Sequence, residues 1–131
     1  MIAAVHALLG AALGRLCRTR TQAVALASAS HIAADMLPHR DLEIPQEAGL
    51  LAAALALIAA ARGADSREFA GSVGAVAPDI ENLIGRMRGL PDEKLLLPNH
   101  NRYHGRKTEG FEGQLALAAI GLAVLLLPTE R

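Results

Sequence analysis

Two pairs of polar residues in this chain have the spacing that places both side chains on one face of a helix. His31 and Asp35 stand in the sequence HIAAD, and His100 and His104 stand in the sequence HNRYH. Residues at positions i and i+4 of a helix are neighbours on its surface. Imidazole and carboxylate groups placed in this way can ligate one metal ion. Each pair is therefore a candidate metal-binding element.

Two further residues, His6 and Asp79, would meet these pairs at one end of a helical bundle. Asp79 follows Pro78, and a proline inside a helix frees a carbonyl group and re-aims neighbouring side chains. Short connections favour helices that run alternately up and down. With a rise of about 1.5 Å per residue, that arrangement places His6, the HIAAD pair and Asp79 at the same end. The convergence predicts a metal site, whereas a single buried histidine in a helix usually has only a structural role.

The types of ligand limit the metals that this site would hold. Cys17 is the only cysteine, which excludes an internal disulfide and a zinc site built from cysteines. Imidazole and carboxylate ligands without thiolate suit zinc, manganese or iron. Two neighbouring ions would generate hydroxide from water and stabilise phosphoryl charge. Arg102, Arg106 and Lys107 could neutralise a phosphate, although a solvated basic loop explains them equally well.

The composition predicts an all-α fold, a single domain over residues 1–131 that forms a compact bundle of about five helices. The chain is 52% hydrophobic but only 2% aromatic, and its apolar residues are mostly the helix formers Ala and Leu. We expect a kinked fourth helix and a long loop, with one short helix inside it, before the last helix. Five helices are expected. They span about 2–17, from Thr21 to just before Pro38, from Pro45 to Gly63, from a capping box of Asp65 and Glu68 to beyond Pro78, and about 111–127.

Charge and hydropathy exclude some classes of partner and leave the membrane question open. The 13 basic and 13 acidic residues balance, so we expect no nucleic-acid partner. Arg15, Arg18 and Arg20 follow the apolar N-terminal segment instead of preceding it, which is the wrong order for a cleaved signal peptide. Segments 48–61 and 115–127 are strongly apolar but shorter than the roughly 20 residues that cross a bilayer. A membrane-embedded bundle and a soluble bundle with an apolar core both fit.

Four short motifs carry a resemblance to known proteins: HALLGAALG, SHIAADMLPHRD, GAVAPDIEN and HNRYHGR. Together they resemble small bacterial membrane-associated proteins described as metal-dependent hydrolases. More distantly, they resemble the all-helical superfamily of zinc-dependent phospholipases C and single-strand nucleases. The resemblance implies a phosphodiester-cleaving bundle at the bacterial inner membrane that holds roughly one to three zinc ions. The metal ligands that it implies are His6, His31, Asp35 and Asp79, with His100 and His104 as ligands or as groups that support them.

These observations lead to one functional hypothesis and two alternatives. The hypothesis is metal-dependent hydrolysis of a small-molecule or lipid phosphoester, in which water is activated between metal ions. Asp79, Glu81 or Asp35 would take the proton, Arg102 and Arg106 would bind the phosphate, and His39 and Asp41 would either hydrogen-bond the ligands or cap the helix. The first alternative is a non-catalytic membrane or scaffold bundle, in which a metal or a buried His–Asp network only supports the fold. The second is a metal transporter or chaperone.

Overall fold

The structure, a computed structural model, describes residues 1–97 and 105–128, and these residues form an all-helical bundle. Five α-helices follow one another: α1 (Ala3–Leu16), α2 (Arg20–Asp35), α3 (Ile44–Arg62), α4 (Arg67–Met87) and α5 (Glu112–Leu126). A short 3-10 helix, Asp92–Lys94, lies between α4 and α5. The all-α prediction is confirmed, and so is the long connection before the last helix.

Local hydrogen bonds explain where α2 and α3 begin and end. Thr19, and not Thr21, caps α2, because its hydroxyl accepts a hydrogen bond from the backbone N–H of Gln22 and the Gln22 side chain accepts one from Thr19. Pro45 lies in the first turn of α3, and Gly63, with φ of 89°, ends that helix.

The start of α4 differs from the sequence prediction. The Ser66 hydroxyl caps α4 by accepting a hydrogen bond from Phe69 N, so the predicted capping box of Asp65 and Glu68 is wrong. The helix then runs through Pro78 without a break. Continuity is possible because the Ser28 hydroxyl donates a 2.8 Å hydrogen bond to the Gly74 carbonyl, the acceptor that Pro78 leaves without its helical N–H donor.

Helix α1 is the centre of the bundle and contacts each of the other four α-helices. Its tightest contact is with α4, where a Cβ atom added to Gly10 would lie 2.4 Å from the Gly71 carbonyl oxygen. Only glycine allows two backbones to approach so closely. The main apolar core lies around this contact and comprises Ala7, Ala11, Ala54, Ile58, Val76 and Leu125. The central position of α1 brings the side chains of α1, α2 and α4 together at one end of the bundle.

Helix α3 lies on the outside of the bundle and presents an apolar surface. It is the one helix among residues 1–97 and 105–128 that is long and apolar enough to cross a membrane. The core helix of a soluble protein can pass the same test, but only 11% of the apolar window in α3 is buried. Exposed side chains on α3 include Leu50 and Leu57.

Candidate metal centre

Three side chains from three helices form a group that could hold a metal ion. His6 comes from α1, His31 from α2 and Asp79 from α4, and one ligand atom from each lies within 4.8 Å of the others. Both histidines are buried, and Asp79 keeps 26% of its side chain exposed. The structure therefore brings together three of the ligands that the sequence predicts, and Asp79 is the member of the group that solvent reaches.

A backbone carbonyl of α4 fixes which nitrogen of the neutral His31 ring carries the proton. Its Nδ1 atom lies 2.8 Å from the Ala75 carbonyl oxygen, which can only accept a hydrogen bond, so Nδ1 carries a proton. In a neutral ring the Nε2 atom then carries the lone pair. The Nε2 atom lies 3.2 Å from Asp35 Oδ2 and 3.5 Å from Asp79 Oδ1. It is buried, and it makes no hydrogen bond with any residue that the structure describes.

The His31 Nε2 atom lies close to two carboxylate oxygens, one from Asp35 and one from Asp79. A lone pair between carboxylate oxygens is repelled by them unless a proton or a metal ion lies between. Burial lowers the pKa of His31, but the Asp35 and Asp79 carboxylates outweigh it and raise the pKa above the ordinary value. A proton bound at Nε2 compensates these two negative charges, and a divalent ion that binds Nε2 would replace that proton.

His6 stacks on His31, and its pKa is shifted in the opposite direction. The two ring centroids are 4.1 Å apart with an interplanar angle of 24°. Burial lowers the pKa of His6 to about 4, although its hydrogen bond to Asp35 opposes the shift. His6 is therefore neutral at pH 7, which is the state in which imidazole binds metal ions.

Asp35 lies against a ring nitrogen of each histidine and compensates buried positive charge. Its Oδ1 atom accepts hydrogen bonds from the Met1 amino group at 2.8 Å and from His6 Nε2 at 3.0 Å. The sequence predicts Asp35 as a metal ligand and proton acceptor, and the structure places its Oδ2 atom 3.2 Å from His31 Nε2 while its Oδ1 atom accepts the hydrogen bonds from Met1 and His6. Carboxylates that hydrogen-bond a ligating histidine commonly orient its ring.

His39 and Asp41 extend this network through a contact with the Met1 amino group. His39 Nδ1 donates to the Leu37 carbonyl oxygen at 2.7 Å, and His39 Nε2 lies 3.3 Å from Asp41 Oδ1. The same Asp41 oxygen lies 3.4 Å from the Met1 amino group. The two residues therefore support the end of α2 and the network around Asp35, one layer away from the three-residue group.

The remaining predicted site residues lie elsewhere or outside the described residues. The Glu81 carboxylate accepts hydrogen bonds from the backbone N–H groups of Leu96 and Leu97, so it holds the loop after α4 and is not in the three-residue group. Arg106 is exposed, and its carbonyl oxygen accepts a hydrogen bond from His39 N. His100, Arg102 and His104 lie outside the residues that the structure describes.

Two polar residues that sequence reasoning missed, the half-buried Ser28 and the buried Gln114, also stabilise the site. Ser28 supports the turn of α4 before Asp79. The sequence feature that could have identified it is a hydroxyl residue three positions before His31, available to bond a carbonyl group that a proline frees. Gln114 is the only buried polar residue of α5; its side chain accepts a hydrogen bond from Ile2 N and donates one to the Arg40 carbonyl oxygen. The sequence feature that could have identified Gln114 is a single amide side chain at the start of an apolar segment.

A cleft between α3 and α4 opens beside the three-residue group. Its volume is about 460 Å³, and Asp79 forms part of its wall. Apolar side chains, among them Leu51 and Leu83, line most of it, and Arg86 and Lys107 are also in the lining. This volume is in the range of small-molecule binding sites.

Comparison with known proteins assigns neither a family nor an activity. No protein-family model matches the chain, and no curated protein or solved structure is significantly similar to it. The site geometry is therefore the main basis for inferring a function.

Proposed function

We propose that this protein is a metal-dependent hydrolase that cleaves a phosphoester at His6, His31 and Asp79. The observation that carries this proposal is the group itself: one ligand atom from each of these three residues lies within 4.8 Å of the others, and the buried His31 Nε2 atom faces two carboxylates. The resemblance of the four motifs to metal-dependent hydrolases supports the same conclusion. Zinc suits two imidazoles and one carboxylate, and manganese and iron accept the same donor set.

The chain's own residues would perform distinct parts of the reaction. A bound zinc-type ion supplies Lewis acidity toward water and toward a phosphoryl oxygen. Asp35 holds the His6 ring in place through its hydrogen bond to Nε2, and it lies 3.2 Å from His31 Nε2. Asp79 is partly exposed at the wall of the cleft, so it can both ligate and accept a proton from attacking water. Substrate would enter from the Asp79 side, because both histidines are buried.

We also infer that the bundle associates with a membrane through α3. This helix is apolar around its whole circumference, with its window largely outside the protein core. A helix without a polar face has no stable arrangement in water unless it is covered. The resemblance places such proteins at the bacterial inner membrane.

The second candidate function is a structural bundle in which the same group only supports the fold. The closed network of Asp35, His6 and the Met1 amino group favours it, because these groups are fully buried and satisfy one another. In that case metal removal would lower the melting temperature steeply, since binding free energy is then folding free energy.

Hydrolysis of p-nitrophenyl phosphate and bis(p-nitrophenyl) phosphate tests the proposal. Protein treated with a chelator should lose turnover and regain it with zinc, manganese or iron. Asp79→Asn should reduce turnover at least about a hundredfold, and Glu93→Gln, an exposed acid in the 3-10 helix, should leave it unchanged. A metal-loaded protein without turnover on either ester, whose melting temperature falls on chelation, would instead support the structural candidate.

A further inference from the structure

Asn82 is a buried amide in the wall of the cleft beside the three-residue group. It follows Asp79 by three residues on α4, so the two side chains are neighbours on the helix surface. The residue is only 8% exposed. Its Oδ1 atom is buried and has no hydrogen-bond partner among residues 1–97 and 105–128. The described part of the chain therefore leaves a hydrogen-bond acceptor unsatisfied at the cleft.

Gln114, a second buried amide, shows what a structural role requires in this bundle. It is 2% exposed, and its side chain accepts a hydrogen bond from Ile2 N at 2.9 Å and donates one to the Arg40 carbonyl oxygen at 2.8 Å. Asn82 lacks such a bond at Oδ1, and a buried acceptor without a donor destabilises a folded protein. A cost of this kind is typical of residues at functional sites.

The surroundings of Asn82 give it the position of a polar contact in a largely apolar wall. Ile80 and Leu83 also line the cleft from α4, and Leu51 lines it from α3. Small-molecule sites commonly combine apolar walls with a few polar groups that fix the orientation of the ligand. Because Asp79 and Asn82 are neighbours on one face of α4, a ligand bound at Asp79 would lie beside the Asn82 amide.

A hydroxyl is the ligand group that satisfies this amide in either orientation. A half-turn about the terminal side-chain bond exchanges the oxygen and the NH2 group of an asparagine. A hydroxyl donates to the oxygen and accepts from the NH2 group, whereas an ammonium group only donates and a phosphoryl oxygen only accepts. Cβ atoms three residues apart on a helix are separated by about 5–6 Å. This span is comparable to that between a phosphoryl group and a hydroxyl on the carbon next to the ester carbon.

We propose that Asn82 is a specificity-determining residue, which binds a free hydroxyl next to the ester and so selects phosphoesters of diols or polyols. This inference rests on the proposed function and specifies its substrate class. Asn82 contacts the alcohol part of the substrate, and the metal centre acts on the phosphoryl group. An ester without the hydroxyl would leave the amide buried and unsatisfied, and sites built to bond a hydroxyl reject such analogues strongly.

Calorimetric titration of the full chain in the presence of zinc tests the hydroxyl contact. The probes are 3-hydroxypropylphosphonate and propylphosphonate, which differ by one hydroxyl group and contain no ester bond to hydrolyse. We expect the wild-type chain to bind the hydroxylated probe at least about tenfold more tightly. Equal affinities, as expected if a water molecule alone satisfies the amide, would overturn the proposal.

Variants at Asn82 assign the preference to this side chain. Asn82→Leu has the same branching but no hydrogen-bonding group, so the ratio of the two affinities should fall to about one. Asn82→Asp keeps an acceptor oxygen and should keep the preference, although its charge would weaken binding of both probes. The control is Gln46→Leu, which replaces an exposed amide outside the cleft lining and should keep the wild-type ratio. A preference that survives in Asn82→Leu would refute the assignment.

Thermal unfolding of the metal-free variants distinguishes a binding residue from a structural one. Asn82→Leu should raise the melting temperature, because it removes an unsatisfied buried acceptor and introduces a better helix former. Gln114→Met should lower it, because Ile2 N and the Arg40 carbonyl oxygen lose their partner. Comparable losses in the two variants would show that Asn82 only supports the fold, and would overturn the proposal.

Turnover of the corresponding esters, 2-hydroxyethyl phosphate and ethyl phosphate, separates this inference from the proposed function. A protein that hydrolyses both esters with equal kcat/KM is a metal-dependent hydrolase in which Asn82 does not determine specificity. A protein that shows the expected affinity ratios, but hydrolyses neither ester with zinc, manganese or iron, has the Asn82 contact and lacks the proposed activity.

Discussion

Replacing Asp35 with Asn is the most informative perturbation of the buried network. The Asp35 carboxylate accepts hydrogen bonds from the Met1 amino group at 2.8 Å and from His6 Nε2 at 3.0 Å, and it lies 3.2 Å from His31 Nε2. Asn keeps the shape of the side chain but removes the negative charge and turns an NH2 group toward one of these nitrogens. Buried positive charge then loses its main counter-charge.

The expected cost to the metal-free protein is about 3–5 kcal/mol, the range observed when one partner of a buried ion pair is removed. Since small domains are stable by only about 5–15 kcal/mol, the loss should be large in urea unfolding followed by circular dichroism. Metal affinity should also fall about 10- to 100-fold, because the two rings lose their common support.

Asp65→Asn is the control for this experiment. Asp65 is fully exposed and pairs with Arg20 at 3.3 Å on the surface, so its replacement should leave the unfolding curve unchanged. An Asp35→Asn protein that unfolds at the wild-type urea concentration and binds metal equally well would refute the reasoning.

Three further predictions concern pH, backbone contact and the proline turn. In the metal-free protein the free energy of unfolding should fall as the pH drops from about 6.5 to about 4, because the unfolded chain then binds a proton that His6 in the folded chain does not. The raised pKa of His31 adds stability that is present below 6.5 and lost as the pH rises through its folded-state pKa. Denaturant unfolding at several pH values should thus give the largest free energy of unfolding at about pH 6.5. A free energy of unfolding that rises steadily up to about pH 8 would be inconsistent with these shifts. Gly10→Ala should destabilise the bundle by about 1–3 kcal/mol, because its Cβ would lie 2.4 Å from the Gly71 carbonyl oxygen. Gly49→Ala, with nothing within 4 Å of the new Cβ, should stabilise it by up to about 1 kcal/mol, and the same loss at both positions in thermal unfolding would contradict the packing. Ser28→Ala should cost about 1–3 kcal/mol by leaving the Gly74 carbonyl unsatisfied. Ser30→Ala removes only a bond to the Ala27 carbonyl of its own helix and should be nearly neutral, so similar losses for the two serines would argue against support of the proline turn.

The fold could be predicted from the sequence because its signals are local. Ala- and Leu-rich segments with proline and glycine at their ends specify helices without reference to distant residues. The errors fall on helix starts, where several hydroxyl and carboxyl groups compete. Thr19 and Thr21 both suit a helix N-cap, and the capping box with Gln22 decides for Thr19. Ser66 likewise caps α4 in place of Asp65.

The candidate metal centre could be predicted only in part, because its details depend on tertiary contacts. The expected up-and-down arrangement placed His6, His31 and Asp79 at one end, and the structure has them in one group. The sequence could not show that Asp35 would be enclosed by the Met1 amino group and His6. Nor could it show that the Glu81 carboxylate would hold Leu96 and Leu97. Both outcomes depend on where loops return to the bundle, which local patterns do not specify.

The most direct test of the metal centre is elemental analysis of protein purified without added metal. The wild-type chain should contain zinc, manganese or iron at one equivalent or more, while His31→Ala should contain none and keep its helical circular dichroism spectrum. His39→Ala is the matched control, since His39 is equally buried but lies outside the three-residue group; it should retain metal. Equal metal content in wild type and His31→Ala, or no metal in wild type even after reconstitution, would contradict the proposed metal centre.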